Sequence, residues 1–353
     1  MCGIVSIHSS GMPLQNYEGV LEDMMKTLHH RGPDGEGRVH IQSQVLMGHR
    51  RLSVIDLENG KQPMISKDGR YSLIFNGEIY NYLELREELI SQGVAFHTIS
   101  DTEVLLNMLV QYDTDAIGKL NGMFSFVFHD RKENQWISAR DPMGIKPLYF
   151  CQTDDHLLFA SEIKALLAHP QVTVLRNEKA LNQYLSFQMC LDEETLFQGV
   201  RKVLPGHYLL GQGSEIKKTV TYWDTNYKID GNHTEQDYLD QIYDTLQDCV
   251  RLQLRADVPV GAHLSGGMDS SLVSVLASKQ LDSEISLFHG KFAEGANYDE
   301  SEYAEIIAEQ TQGSLHQTIP TAQEFADILP DLIYALDEPV AGPGLFPQYA
   351  VSK

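Results

Sequence analysis

The sequence predicts two domains of different fold class in one chain. Between residues 1 and about 210, many short apolar runs alternate with turn residues, and helical stretches are set between them. This pattern is typical of an α+β domain in which helices cover antiparallel sheets. From residue 233 to residue 353, strands and helices alternate, which favours an α/β doubly wound parallel sheet. A length of 353 residues agrees with two domains, and we expect residues 211–232 to link them.

The composition argues against several classes of protein. Hydrophobic residues make up 42% of the chain, while 49 acidic and 27 basic residues give a formal net charge of −22. A surplus of negative charge disfavours binding to nucleic acids or to anionic membranes. Because the sequence shows neither a leader pattern nor an apolar run of about 18 residues, we expect a cytoplasmic protein. The cysteines lack the spacing of a zinc site or of a disulfide framework: Cys2, Cys151, Cys190 and Cys249.

The N-terminus places a nucleophile beside a base. If Met1 is removed, Cys2 carries both a thiol and a free α-amine. An α-amine has a pKa of about 7.7–8.0, so part of it is unprotonated near neutral pH and can take the proton of the thiol. A thiol becomes a good nucleophile only after it loses that proton. The plain alternative is a frayed terminal residue without a role.

The elements of the first domain follow from alternation and from capping residues. Apolar residues alternate like strands at 3–8, 45–47, 71–75, 124–128, 136–139, 148–150 and 157–160, and they recur with helical spacing at 21–28, 82–90 and 101–112. The last of these helices opens at Ser100 and Asp101, with Glu103 in its first turn. Helices between so many short strands indicate a layered domain.

Polar residues at the ends of these elements have the chemistry to bind an amino-acid amide. The side-chain amide of Asn76 and the N–H of Gly77 are two donors for a developing oxyanion. A guanidinium such as that of Arg51 grips a carboxylate with two parallel hydrogen bonds. The carboxylates of Glu78 and Asp101 suit an ammonium group. Each residue also has a plain explanation: Asn-Gly as a turn, Asp101 as a helix cap, and Arg51 as a solvated charge.

The second domain follows a regular strand–helix order. A long amphipathic helix is predicted at 236–255, ahead of three strands at 258–264, 285–289 and 315–319. Helices are predicted after each strand, at 271–278, 301–310 and 322–336. We expect the first strand to pair on one side only within this chain, because the second and third strands lie together on that side in a doubly wound sheet.

A glycine-rich loop follows the first of these strands. Its sequence is Ser265-Gly266-Gly267-Met268-Asp269-Ser270-Ser271. Glycines let successive N–H groups point inward, and a helix N-terminus adds partial positive charge, so such a loop suits phosphate. Asp269 is a candidate ligand for Mg²⁺. The loop lacks the lysine of a Walker A motif, and a simple helix cap is the alternative.

The ordered motifs resemble class II glutamine amidotransferases and, more narrowly, the glutamine-hydrolysing asparagine synthetase family. The matching segments are 2–4, 30–34, 51–56, 75–81, 100–103, 122–124, 140–141, 144–149 and 160–166. The resemblance implies an N-terminal-nucleophile hydrolase sandwich, with Cys2 as the nucleophile and Asn76 and Gly77 as the oxyanion hole. It further implies that glutamine is bound by Arg51, Leu52, Ser53, Val54, Ile55, Asn76, Gly77, Glu78 and Asp101.

The glycine-rich loop resembles the pyrophosphate loop of ATP pyrophosphatases. This resemblance implies ATP and Mg²⁺, with the metal on Asp269 and the nucleotide on Leu264, Ser265, Gly266, Gly267, Asp269, Ser270, Ser271 and His289. The segments 298–300 and 337–339 also match asparagine synthetases. Asp337 and Glu338 are expected near the acceptor, or else are helix-end carboxylates.

These features predict an enzyme that hydrolyses glutamine and transfers the ammonia to an aspartate activated by ATP. The family carries a second glycine-rich segment with an Asp-Glu pair, which is absent here, so we expect a C-terminally truncated chain that keeps the glutaminase activity alone. A homodimer is a further expectation. Two alternatives stay open: an amidotransferase acting on another carboxylate, such as a polysaccharide uronate, and a non-catalytic glutamine- or nucleotide-binding protein.

Overall fold

A computed structural model describes residues 1–291, 299–340, 342 and 344–353. Tyr298 of the segment 298–300 lies outside the described residues. The chain divides into two compact units, Met1–Asn226 and Tyr227–Lys353. Among the described residues, no helix has both the length and the apolar character needed to cross a membrane.

The first unit is built on two six-stranded sheets whose neighbouring strands are all antiparallel. The first sheet contains, in spatial order, β10 (Val200–Lys202), β8 (Tyr149–Gln152), β9 (His156–Ala160), β1 (Gly3–Ser9), β3 (Val45–Arg51) and β2 (Gly35–Ile41). The second contains β12 (Glu215–Thr221), β11 (His207–Gln212), β7 (Gln135–Arg140), β6 (Gly122–Asp130), β5 (Tyr71–Ile79) and β4 (Met64–Ile65).

Alternation along β6 shows how the layers stack. Phe124 and Phe126 pack into a cluster with the helices that cover the second sheet, whereas Val127 packs with Ile4 and Ile74 between the two sheets. The expected sandwich of antiparallel sheets between helices is therefore confirmed. The helices of this unit are α1 (Glu18–Thr27), α2 (Tyr82–Ser91), α3 (Asp101–Tyr112), α4 (Ile163–Leu167) and α5 (Glu178–Phe187).

The end of the first unit lies later than the sequence suggested. Strand β12 pairs with β11 along its length, yet it falls inside the range 211–232 that we expected to be a linker. The expectation was therefore wrong for residues 215–221, whose polar, lysine-containing sequence hid an exposed edge strand. Residues 222–233 contain no helix or strand, so the polar part of the predicted linker remains irregular.

The second unit is a parallel sheet of three described strands in the order β13 (Gly261–His263), β14 (Ser286–Gly290) and β15 (Ser314–Thr318). As expected, the second and third strands lie on the same side of the first. Pairing of β13 starts at Gly261 rather than at 258; Pro259 lacks the N–H that a ladder needs. The helices are α6 (Glu235–Gln253), α7 (Met268–Ser278), α8 (Ser301–Thr311), α9 (Ala322–Leu336) and α10 (Leu345–Ser352).

Candidate active site

Cys2 lies immediately before β1, above the end of β3. Its Sγ accepts a hydrogen bond from the N–H of Leu52 at 3.4 Å and faces the Leu52 carbonyl oxygen at 3.6 Å. Burial raises the pKa of the Cys2 thiol, and the Leu52 hydrogen bond opposes that rise. Burial also lowers the pKa of the Met1 N-terminal amine to about 6. Burial at this end of the chain thus favours a neutral amine. The amine described here is that of Met1, and Cys2 gains its own α-amine only when Met1 is removed.

Arg31 and Glu162 fix the backbone of Cys2. Arg31 Nε donates to the Cys2 carbonyl oxygen at 2.8 Å, and Arg31 Nη1 donates to Glu162 Oε1 at 2.7 Å. Although burial raises the pKa of Glu162, hydrogen bonds from His30 and the charge of Arg31 lower it to about 2. The buried ion pair therefore stays charged and holds the nucleophile residue in place. Both residues fall in segments that resemble the family, but the sequence alone predicts no role for them.

Asn76 is fully buried and has open hydrogen-bonding capacity. It shares the face of β5 with Ile74, which packs with Ile4 of β1 between the sheets. Neither Asn76 Oδ1 nor Asn76 Nδ2 has a hydrogen-bond partner among the described residues. Buried polar atoms are rarely left unpaired in folded proteins, so this amide is suited to a ligand.

The N–H of Gly77 points toward the edge of β5 that the short β4 leaves uncovered. Gly77 pairs with Phe124, but the N–H and carbonyl of Phe124 are both bonded to Asp141, on the β7 side. By antiparallel alternation, the N–H of Gly77 therefore points away from β6. The N–H of Ile79 has the same orientation and donates to Asp101 Oδ2 at 3.0 Å.

Close packing against β6 explains why residue 77 is a glycine. A Cβ atom there would lie 2.2 Å from the Met123 carbonyl oxygen and 2.7 Å from the Phe124 Cα. The backbone that approaches this glycine closely is that of β6. Any side chain at residue 77 would push the two strands apart.

Half-buried Glu78 and buried Asp101 form an acidic pair. Burial and the charge of Asp101 raise the pKa of Glu78 to about 8, whereas Lys146 opposes the rise. Burial raises the pKa of Asp101 to about 6, despite its hydrogen bond from Ile79. Ser100, rather than Asp101, caps α3, since its Oγ accepts from the Thr102 N–H at 3.1 Å. A cation would relieve the crowding of negative charge in this pair.

Arg51 braces the loop that follows β3. Its Nη1 donates to the Leu57 carbonyl at 2.8 Å, and its Nη2 donates to the carbonyls of Ile55 at 3.1 Å and Asp56 at 2.7 Å. Three of its five N–H groups are thereby used, so two parallel N–H groups for a carboxylate are not free in this arrangement. The Ser53 N–H donates to Asp34 Oδ2 at 2.8 Å. The segment 52–55 is thus held from both sides.

Lys146 is a further charged residue of this region, and the sequence alone predicts no role for it. It is only 5% exposed, and its charge acts on Cys2 and Glu78. A lysine two residues before an apolar strand, at 148–150, is a weak sequence signal, because lysine is common in loops. Its burial became visible only in the folded chain.

In the second unit, side chains of the loop before α7 form hydrogen bonds within the loop. Ser265 Oγ and Ser270 Oγ are 2.9 Å apart, and the Gly267 N–H donates to Ser265 Oγ at 3.2 Å. Gly266 has φ +93, and a Cβ there would lie 2.7 Å from the Glu300 carbonyl oxygen. Asp269 is exposed in the first turn of α7, beside Ser271.

A cavity of about 550 Å³ opens beside this loop. Leu264, Ser265, Ser270 and His289 are among the residues that line it. The ring nitrogens of His289 face the Leu264 carbonyl at 2.8 Å and Ser301 Oγ at 3.1 Å, so this imidazole is engaged with the protein. Among the described residues, no group of three or more His, Cys, Asp or Glu side chains is arranged to hold a metal ion.

Two family models match the chain in sequence. Residues 1–223 match the glutamine amidotransferase domain and residues 241–353 match asparagine synthase. The fold is that of an N-terminal-nucleophile hydrolase sandwich, and the chain belongs to the glutamine amidotransferase family. With both domains in this order, it is similar to the glutamine-hydrolysing asparagine synthetases.

Curated relatives agree with this assignment. The chain is 38% identical to asparagine synthetase [glutamine-hydrolyzing] 1 of Bacillus subtilis, covering 100% of this chain and 55% of that protein. It is 32% identical to asparagine synthetase [glutamine-hydrolyzing] 3 of the same organism, over 96% of this chain and 57% of the relative. It is also 32% identical to the amidase chyE of Penicillium rubens, over 91% of this chain and 49% of that protein. The chain thus spans about half the length of these relatives.

Proposed function

We propose that the first unit hydrolyses glutamine with Cys2 as the nucleophile. The observation that carries this proposal is the pocket itself: the Cys2 sulfur is held on the Leu52 N–H, and the buried amide of Asn76 has no partner among the described residues. The charge of Glu78 acts on both the thiol and the N-terminal amine. The thiol, the terminal amine and Glu78 therefore influence one another electrostatically, and Glu78 is influenced in turn by Asp101.

The reaction follows from these groups. After removal of Met1, the α-amine of Cys2 takes the thiol proton, and the sulfur attacks the side-chain amide carbon of glutamine. Asn76 Nδ2 and the N–H of Gly77 donate to the oxygen that becomes negative. The amine returns its proton to the leaving nitrogen, the C–N bond breaks and ammonia departs. Water then hydrolyses the thioester to glutamate.

The remaining residues orient the amino acid. Glu78 and Asp101 hold its ammonium, whose charge favours the ionised forms of both carboxyl groups. The loop 52–55 receives its carboxylate. Arg51 shapes that loop and contributes through the N–H groups that the carbonyls of 55–57 leave free. Replacement of Arg51 with lysine should therefore raise KM for glutamine more than it lowers kcat.

For the second unit, we propose nucleotide binding at the loop 265–271. Ser265, Gly266, Gly267, Ser270 and Ser271 would hold the phosphates, with Leu264 and His289 in the wall of the adenosine cavity. Asp269 is exposed where it would bind Mg²⁺ together with phosphate oxygens and water, which is how this ion is usually held. The metal would neutralise phosphate charge. In the whole protein, ATP would activate aspartate and ammonia would convert it to asparagine.

A glutaminase assay tests the first half of the proposal. Glutamate should form from glutamine, and modification of Cys2 by iodoacetamide should abolish its formation; absence of turnover in the unmodified chain would favour a binding protein instead. The acceptor is tested with the whole protein, by comparing pyrophosphate release with aspartate and with uronic acids. Release with a uronate but not with aspartate would favour the alternative amidotransferase.

A further inference from the structure

The loop between β7 and β8 crosses from the second sheet to the first, and Asp141 organises it. Asp141 Oδ1 accepts from the N–H groups of Met143 at 3.1 Å and Ile145 at 2.9 Å. Asp141 Oδ2 accepts from those of Lys146 at 2.9 Å and Phe124 at 3.2 Å. One carboxylate thus ties the loop to the residue of β6 that pairs with Gly77.

Arg140 holds the same loop from its other side. Its Nε donates to the Lys146 carbonyl oxygen at 2.8 Å, its Nη2 to that of Gly144 at 2.7 Å, and its Nη1 to that of Val203 at 2.9 Å. The backbone of Lys146 is therefore fixed by Asp141 through its N–H and by Arg140 through its carbonyl. Because its backbone is held on both sides, the Cα and Cβ atoms of Lys146 have a defined position from which the side chain extends.

Lys146 is a largely buried residue whose ammonium has no partner among the described residues. The residue is 5% exposed, and the described residues offer its Nζ neither a hydrogen bond nor a salt bridge. By contrast, the guanidinium of Arg31 is paired with Glu162. A buried charge without a partner is costly, so its presence requires a functional or electrostatic reason.

Several charged groups interact electrostatically with Lys146. They come from different elements: the N-terminal amine and Cys2 before β1, Arg31 before β2, Glu78 on β5, and Asp141 on its own loop. Burial and the charge of Arg31 lower the pKa of Lys146, while Glu78, Cys2 and Asp141 oppose that decrease. Arg31 and Asp141 are already hydrogen-bonded to other residues. The thiol, the amine and Glu78 are therefore the groups of this set on which the charge of Lys146 can act.

We propose that Lys146 is a positioning residue of the glutaminase site, a buried cation that favours the deprotonated forms of the Cys2 thiol, the N-terminal amine and the Glu78 carboxyl. The inference rests on the proposed glutaminase function. The net charge of each of the three groups falls by one unit when the group loses its proton. A nearby cation therefore favours the deprotonated form in every case. Lys146 thereby counters the burial that raises the pKa values of Cys2 and Glu78.

The test replaces Lys146 with methionine, which keeps much of the side-chain length without the charge, and with glutamine as a second neutral variant. Lys146→Arg restores a cation. Lys132→Met is the matched control, since Lys132 is exposed and pairs with Glu133. For each variant, kcat/KM for glutamine is measured from about pH 5 to about pH 10. In parallel, alkylation of Cys2 by iodoacetamide is followed against pH by mass spectrometry of the N-terminal peptide.

We expect the acidic limb of the rate profile to move up by about one pH unit in both neutral variants, as for the loss of one nearby charge. At pH 7, kcat/KM should fall about tenfold and recover as the pH rises. The midpoint of Cys2 alkylation should move in the same direction. Lys146→Arg and Lys132→Met should give profiles like that of the parent chain.

Two results would overturn the proposal. One is an unchanged alkylation midpoint in folded Lys146→Met and Lys146→Gln. The other is a loss of rate that is equal at every pH, which would indicate a purely structural role. Because alkylation needs no turnover, a shifted midpoint in a chain that does not hydrolyse glutamine would support Lys146 and reject the proposed glutaminase function.

Discussion

The site around Cys2 and the loop before α7 are assembled from opposite kinds of contact. In the first unit, the contacts Cys2–Leu52, Arg31–Glu162 and Ile4–Ser161 join residues 50, 131 and 157 positions apart. In the second unit, the hydrogen bonds of Ser265 with Ser270 and Gly267 span five and two positions. One site exists only when the sandwich is complete, whereas the other is largely encoded in a single loop.

The two regions also differ in their electrostatics. The pocket of the first unit is buried, and the pKa values of Glu78 and Asp101 are raised to about 8 and about 6. The loop of the second unit exposes Ser265 and Asp269 to solvent. A buried, pre-organised pocket stabilises charge that develops during a reaction, while an exposed loop of N–H groups suits an anion that arrives already charged.

The sharpest test of the first region removes its nucleophile. Cys2→Ala should abolish glutamate formation while glutamine still binds, because Glu78, Asp101 and the loop 52–55 are unchanged. Binding is measured by calorimetry and turnover by a glutamate assay. Cys249→Ala, which alters a half-buried cysteine of α6, serves as the control and should retain full activity. Turnover by Cys2→Ala at the parental rate would remove Cys2 from the mechanism.

A smaller effect is expected from the oxyanion donor. Asn76→Ala should lower kcat by roughly 10²–10³ with little change in KM, which is the usual loss for one such donor. The control is Ser125→Ala, because Ser125 pairs with Asn76 across the strands and its Oγ is also buried without a described partner. An effect confined to KM would show that Asn76 only binds substrate.

The contrast between the regions explains what could be predicted from the sequence. Helix α9 begins and ends where it was predicted, and a capping signal such as Thr321 with Glu324 acts over a few residues. Helix α7 begins at Met268, three residues before the predicted start, so part of the predicted loop 265–271 is its first turn. The sandwich and the residues of the first site were matched by motifs. The arrangement of Arg51 on three loop carbonyls, the role of Asp141 and the burial of Lys146 were not predictable, because each depends on strands brought together by the fold.

In the second region, a substitution should act on the local loop alone. Gly266→Ala places a side chain at positive φ and against the Glu300 carbonyl, which should destabilise the second unit by about 1–3 kcal/mol. Glutaminase kinetics should stay unchanged, because the site lies in the first unit. Unfolding is followed by urea denaturation, with Gly231→Ala as the control, since a Cβ there contacts nothing within 4 Å. A matching loss in both variants would contradict the expected strain.

The acidic pair of the first unit should also make the stability of that unit depend on pH. The carboxyl of Glu78 has a pKa of about 8 in the folded chain and of about 4.3 when unfolded. Between these values the folded chain binds more protons than the unfolded chain, so stability falls as the pH rises through this window.

Glu78→Gln removes that dependence. Its melting temperature should therefore exceed that of the parent chain by a margin that grows from pH 5 to pH 8, whereas Glu87→Gln, which alters an exposed residue of α2, should show no such trend. Added glutamine should narrow the difference in melting temperature between the variant and the parent chain. Its ammonium stabilises the ionised Glu78 of the parent chain, whereas residue 78 of the variant carries no charge. A difference in melting temperature that is independent of both pH and glutamine would contradict the raised pKa of Glu78 and its proposed contact with the glutamine ammonium.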